Sequence, residues 1–261
     1  MSWWGKVVGG AFGFMLGGPL GALLGAVLGN YFDTGLDSVG SGDFLGRGST
    51  ERVQTAFFTA TFSVMGYIAK SDGHVSRHEV ELAERVMQQM RLSPRQRQVA
   101  IDLFNAGKQD GFPLFQVLDQ FRQEAARRST LLQMFLEIVI ATAFADGKLD
   151  ARERNLLQSI ATQLGFSPQQ LDQLLGRISG QAQFAQTESS EEQLRAAYKL
   201  LGVSEGAGDA ELKKAYRRQM NQHHPDKLVA KGLPDEMMDI ATRKAQEIKA
   251  AYELIKSSRA T

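Results

Sequence analysis

The feature that most constrains this 261-residue chain is a repeat at a fixed offset. Asp72-Gly73 recurs as Asp146-Gly147, Glu79 as Glu153, Leu82 as Leu156, Val86 as Ile160 and Ser93-Pro94 as Ser167-Pro168, each pair 74 positions apart. The shared register implies two copies of one helix-turn-helix unit, because positions 82 and 86, and again 156 and 160, keep the spacing of a single helical face. Helix punctuation repeats with them. Gly73 and Gly147 suit the left-handed conformation that ends a helix. Ser76 with Glu79, and Asp150 with Glu153, fit the capping box that starts the next. Ser93-Pro94 and Ser167-Pro168 each place an N-cap residue before a proline at the first helical position. The predicted fold class is all-α, with a duplicated helical domain over residues 51–178.

Composition removes several function classes. The sequence has no cysteine, which excludes disulfides, thiol redox chemistry, cysteine zinc sites and a cysteine nucleophile. A net charge of +1 provides no whole-chain field to attract nucleic acid, and none is expected as a partner.

The N-terminus reads differently. After a short tail, residues 7–32 carry no charge and would span roughly 39 Å as one helix, enough for a bilayer core with some tilt. Trp3 and Trp4 stand before this run, and Tyr31 and Phe32 close it, at both expected headgroup levels. A cleaved signal peptide is the alternative, but the run is long for one and only Lys6 supplies a positive start. Gly9, Gly13, Gly17, Gly21, Gly25 and Gly29 recur every four residues and make a smooth ridge on which a second helix can pack. A homodimer through this helix is the expectation; the alternative is a weak anchor, kinked at Pro19. Charge barely orients the segment, since Arg47 and Arg52 follow it among Asp33, Asp37 and Asp43. Two Gly- and Ser-containing stretches, 33–50 and 179–192, read as linkers.

From residue 193 to 261 the pattern is helix, helix, loop, helix. Leu194, Ala197, Tyr198 and Leu201 keep helical spacing, and Gly202 is a stop signal. Asp209 is placed to cap the second helix, whose inward stripe is Leu212, Ala215, Tyr216 and Met220. Its outward face carries Lys213, Lys214, Arg217 and Arg218. These like charges, four apart, disfavour an isolated helix by a few tenths of a kcal/mol per pair, which points to an acidic partner. Pro225 is expected to end that helix and stiffen a loop displaying His224 and Asp226. Ala241, Ala245, Ile248, Tyr252 and Ile255 form the returning seam of the hairpin. His223, His224 and Asp226 offer no nucleophile and no pocket, so the chain is not expected to be an enzyme.

Tyr198 to Val203, Lys214-Ala215-Tyr216-Arg217, His224-Pro225-Asp226 and Ala251-Tyr252 together resemble the J-domain (DnaJ-like) family. The resemblance implies an Hsp70 (DnaK) partner whose ATPase is stimulated: Asp226 would meet a cationic side chain, His224 would hydrogen-bond at the contact, and the basic stripe would steer encounter. The stretch Ala145 to Glu153, echoed at Ser71 to Glu79, resembles the TerB family. That implies divalent-metal candidates at Asp72, Glu79, Asp146 and Glu153, although capping explains the glutamates without a metal. His74 and His78 read as a surface pair, and no cofactor is expected. The segment from Asp226 to Met238, with the glycine-rich anchor and the duplicated block, makes the whole chain resemble the DjlA-type family of membrane-anchored co-chaperones. This implies a single-pass protein of the bacterial inner membrane, N-terminus periplasmic and bulk cytoplasmic, acting on envelope or capsule signalling. A metal- or ligand-responsive sensor with the J-domain as its output is the alternative function.

Overall fold

The computed structural model describes residues 13, 18–29, 49–71, 77–126, 128–144, 149–186, 190–231, 233–234 and 237–259, and its regular elements are all helical. Helix α1 covers residues 18–29. It is followed by α2 (Ser49–Ala69), α3 (Arg77–Gln89), α4 (Pro94–Gly107), α5 (Leu114–Ala125), α6 (Ser129–Ala143), α7 (Ala151–Gln163) and α8 (Pro168–Gln186). The C-terminal unit consists of α9 (Ser190–Leu201), α10 (Asp209–His223), α11 (Pro225–Val229) and α12 (Met238–Arg259).

The repeat is real in three dimensions. Helices α2, α3 and α4 reappear as α6, α7 and α8, and α2 and α6 end at Ala69 and Ala143, one repeat length apart. Both are apolar on nearly every side, the signature of a central helix. Phe57, Phe62, Met65 and Ile68 of α2, and Leu131, Phe135, Leu136 and Ile140 of α6, are fully buried. The bridging helix α5 contributes Phe121, which meets Phe57 edge-on at 5.8 Å and Phe135 at 4.8 Å. Such aromatic pairs add about 0.5–1.5 kcal/mol each beyond the area they bury.

One predicted capping box and both predicted serine N-caps fall on described residues. Asp150 Oδ1 accepts from the Glu153 N–H at 2.7 Å, while Glu153 Oε2 accepts from the Asp150 N–H at 2.9 Å. Ser93 and Ser167 open α4 and α8, and each is joined reciprocally with the glutamine three residues on. Gly73, Ser76 and Gly147 lie outside the described residues.

Two expectations about connections change. The segment 179–192 is helical through Gln186 and again from Ser190. Gly180 lets α8 lie close against α9, since a methyl group there would sit 2.6 Å from Lys199 Cβ. At the N-terminus, Gly13 lies beside Gly21: a methyl on Gly13 would fall 2.0 Å from the Gly21 carbonyl oxygen. Residues eight apart on one helix are about 12 Å apart along its axis, so Gly13 and Gly21 do not lie on one straight helix. Gly13 and Gly21, two members of the predicted ridge, thus approach each other within one chain. Leu20, Leu24, Val27 and Leu28 bury themselves in the middle block, and the Leu20 N–H donates to Gln120 Oε1 at 2.7 Å. Among the described residues no helix is long and apolar enough to cross a membrane. Gly25 and Gly29 lie on α1; Gly9 and Gly17 lie outside the described residues.

Candidate partner-docking site

The site is built on an antiparallel hairpin. Leu212 of α10 and Ile248, Ala251 and Ile255 of α12 pack with Ala197, Tyr198, Leu200 and Leu201 of α9. Tyr216 stacks on Tyr252 with ring centroids 4.3 Å apart. Gly202 ends α9 as expected, with φ 68 and the Val203 N–H donating to the Tyr198 carbonyl at 3.1 Å. Asp209 does not cap α10: Gly208 occupies the N-cap and Asp209 is the first helical residue. Its carboxylate accepts from Arg259 Nη1 at 2.7 Å, while Arg259 Nε donates to the Tyr198 hydroxyl at 3.1 Å. The last turn of α12 thereby pins the start of α10 against α9.

With Leu212 and Ala215 turned inward, Lys213, Lys214, Arg217 and Arg218 are all exposed. Beyond them α10 ends at His223, and Pro225 opens the short α11 instead of lying in an irregular loop. His224, between the two, has ψ 123, the extended conformation a following proline favours. The corner faces outward, with the side chain of Asp226 85% exposed and that of His224 44% exposed. His224 Nδ1 and Asp226 Oδ2 are 3.9 Å apart, too long for a hydrogen bond. Two rigid helices thus hold a carboxylate and an imidazole beside four cations.

The histidine one step earlier does something the sequence did not announce. His223 is buried, its Nδ1 2.9 Å from the Gln219 carbonyl and its Nε2 3.1 Å from the Glu137 carboxylate. Lys244 of α12 donates to the same carboxylate. Glu137 is on α6, so this buried triad ties the C-terminal hairpin to the middle block. Burial pushes the Glu137 pKa up, but Lys244 and His223 outweigh it and hold the carboxyl well below its ordinary range. Leu228, Leu233, Met237 and Ala241 complete the junction by joining the middle block's core. Lys231 adds a 2.7 Å hydrogen bond to Thr130 Oγ1. Nothing in the local sequence around His223 marks it as facing another domain.

Of the metal candidates, Asp72 and Asp146, and the side chain of Glu79, lie outside the described residues, as do His74 and the side chain of His78. Glu153 is engaged in its capping box. Among the described residues no cluster of three or more acidic or histidine side chains is arranged to hold a metal ion.

A four-helix unit with an outward His-Pro-Asp corner beside a basic helix, seated on a duplicated helical block, defines a J-domain co-chaperone with a TerB-type middle domain. Comparison with known families agrees along most of the chain. The chain matches the Co-chaperone DjlA transmembrane domain at residues 1–39, the Tellurite resistance protein TerB family at 58–175 and the DnaJ domain at 196–260. The Co-chaperone protein DjlA of Photobacterium profundum is 46% identical over 98% of this chain and 99% of its own length. Those of Vibrio cholerae and Coxiella burnetii are 44% and 43% identical, each over 99% of both chains. No solved structure matches. The chain belongs to the DjlA family of membrane-anchored J-domain co-chaperones.

Proposed function

We propose that this chain brings a cytoplasmic Hsp70 (DnaK) to the inner membrane and stimulates its ATPase through His224, Pro225 and Asp226. The observation that carries the reading is the outward corner, with Asp226 85% exposed on a proline-opened turn beside a helix presenting Lys213, Lys214, Arg217 and Arg218. Asp226 would pair with a cation of the partner, His224 would hydrogen-bond at the contact, and the basic stripe would speed encounter with an acidic surface. The chain makes and breaks no bond in this role. The His224→Gln variant should lose ATPase stimulation with helicity unchanged; full stimulation would overturn the assignment.

The compartment follows from the partner. An ATP-dependent Hsp70 must share a space with the J-domain, which leaves the N-terminus periplasmic and envelope or capsule signalling as the destination. In the bilayer the glycines at 9, 13, 17, 21, 25 and 29 serve a homodimer, where close backbone packing replaces the missing hydrophobic drive. Crosslinking in membranes should give less dimer for Gly21→Leu than for the native chain, and an undiminished yield would remove the dimer. A second reading, the TerB-type domain as a metal- or ligand-responsive sensor, is favoured by the core that this domain shares with Leu228, Leu233 and Met237. Calorimetric silence of the full chain toward calcium, magnesium and zinc would remove its metal form.

A further inference from the structure

A cleft of about 400 Å³ opens between α8 of the middle block and the J-domain helices α9 and α10. Three cations line it, Arg177 from α8, Lys199 from α9 and Arg218 from α10, together with amides that include Gln133, Gln173 and Gln222. No aspartate or glutamate is in the lining. In a chain whose net charge is only +1, this is a concentrated positive site.

The site is also electrostatically incomplete. Arg177 is half-buried, and its Nε donates to the Gln173 carbonyl at 3.3 Å. Among the described residues no carboxylate comes within ion-pair distance of Arg177, Lys199 or Arg218. Lys199 Nζ donates to an amide oxygen, that of Gln183, at 3.2 Å. Burial lowers the Arg177 pKa, the Glu137 carboxylate opposes this, and Arg218 across the cleft lowers it further. Holding the half-buried Arg177 guanidinium across a cleft from a second guanidinium is unfavourable unless something anionic is placed between them. Gln222 adds to this, because its buried Oε1 has no hydrogen-bond partner. Turning that amide over would aim its NH2 donor inward.

We infer that this interdomain cleft binds a phosphate group carried on a small organic body, with Arg177 and Arg218 gripping its oxygens and Lys199 neutralising the remaining charge. Guanidinium forks match phosphate oxygens in pairs, and the cleft has the size of small-molecule sites, larger than an inorganic ion needs. The phosphate could belong to a soluble metabolite or to a phospholipid headgroup reached by the tethered domain. Because the cations come from both units, occupancy would fasten the J-domain to the middle block. It would also neutralise one member of the basic stripe, a consequence that rests on the proposed Hsp70 role; binding itself does not.

The test uses the full chain in phosphatidylcholine nanodiscs, titrated with glycerol 3-phosphate and followed by calorimetry. Arg177→Gln and Lys199→Gln should each weaken binding about tenfold, the worth of one charge-assisted contact. Circular dichroism and the melting midpoint of each variant check that it is folded. Repeating the titration in phosphatidylglycerol nanodiscs separates the sources: unchanged affinity assigns the site to a soluble phosphate, and suppressed binding assigns it to the lipid headgroup. No heat of binding from the native chain, or equal affinities for the native chain and both folded variants, would overturn the inference whatever the outcome with Hsp70.

Discussion

The two copies of the repeat fold alike and pack differently. In the first copy the first and third helices meet backbone to backbone. A methyl on Gly66 would fall 1.9 Å from the Phe104 carbonyl oxygen, and one on Gly107 1.8 Å from that of Ser63. One repeat length further on, those positions are Ile140 and Gln181, and Ser63 is replaced by Glu137. Side chains hold α6 and α8 apart there, and the J-domain enters the opening with His223 and Lys244 on Glu137 and Glu247 on Gln181. Copy one is sealed by glycine, whereas copy two is kept open and closed by another domain. Duplication supplied two equivalent surfaces, and three side-chain differences turned one of them into a socket.

The socket is the place to break this comparison hardest. Glu137→Ala leaves Lys244 in a largely buried position without its counter-charge, so the variant should lose about 3–5 kcal/mol of stability, read by denaturant unfolding of the full chain. The pH dependence has a definite sign. The Glu137 carboxyl is held well below its ordinary value in the folded state, so its contribution is whole at neutral pH and falls away as acidification carries the solution below the ordinary carboxylate range. A Glu137→Gln chain should accordingly show a flatter melting profile between neutral and acid pH. If both variants unfold like the native chain at every pH, the triad does not hold the domains together.

Sealing by glycine is the next target. Gly107→Val forces a side chain into backbone at 1.8 Å, which neither helix can relieve without sliding, and should destabilise by at least about 1–3 kcal/mol. The equivalent position in the second copy already carries Gln181, and Gln181→Val should cost less than Gly107→Val. Equal losses would mean that the two copies are packed alike.

The smallest effect concerns one turn shared by both copies. After the second helix, the chain passes through a left-handed residue, Arg91 at φ 46 in copy one and Gly165 at φ 89 in copy two. The same bonds close both turns: the Leu92 N–H donates to the Met87 carbonyl at 3.5 Å, and the Phe166 N–H to the Ala161 carbonyl at 2.8 Å. Arginine is the strained choice. Arg91→Gly should gain about 0.5–1 kcal/mol, little of it offset by the exposed ion pair from Arg91 to Asp239. A loss of stability on that change would show that the pair matters more than the backbone.

Much of this was legible in the residues, for reasons that differ by element. Helix ends are local chemistry, a serine or aspartate oxygen reaching an N–H three residues on, and the N-caps at Ser93 and Ser167 and the capping box at Asp150 stand where the spacing puts them. The basic stripe was equally readable, because a helix with Leu212 and Ala215 inward has only one direction left for Lys213, Lys214, Arg217 and Arg218. Asp209 went astray by one position, since Gly208 can occupy an N-cap without any side-chain bond. The stretch 179–192 reads as a linker in sequence because of its glycine and serine content. The neighbour that makes it worth ordering, the J-domain face at Lys199 and Leu200, belongs to a different part of the chain.

The sequence by itself determined the all-helical class, the duplicated register and the His-Pro-Asp corner beside its cations, because each is set by residues within a turn or two of one another. Only the tertiary structure decided that Glu137 meets His223 and Lys244, that the J-domain occupies the open copy, and that Arg177 stands with Arg218 across a cleft. Those contacts join residues 41 to 107 positions apart, and their energies depend on how much water is excluded when two separately folded surfaces close, a quantity that no local pattern of residues encodes.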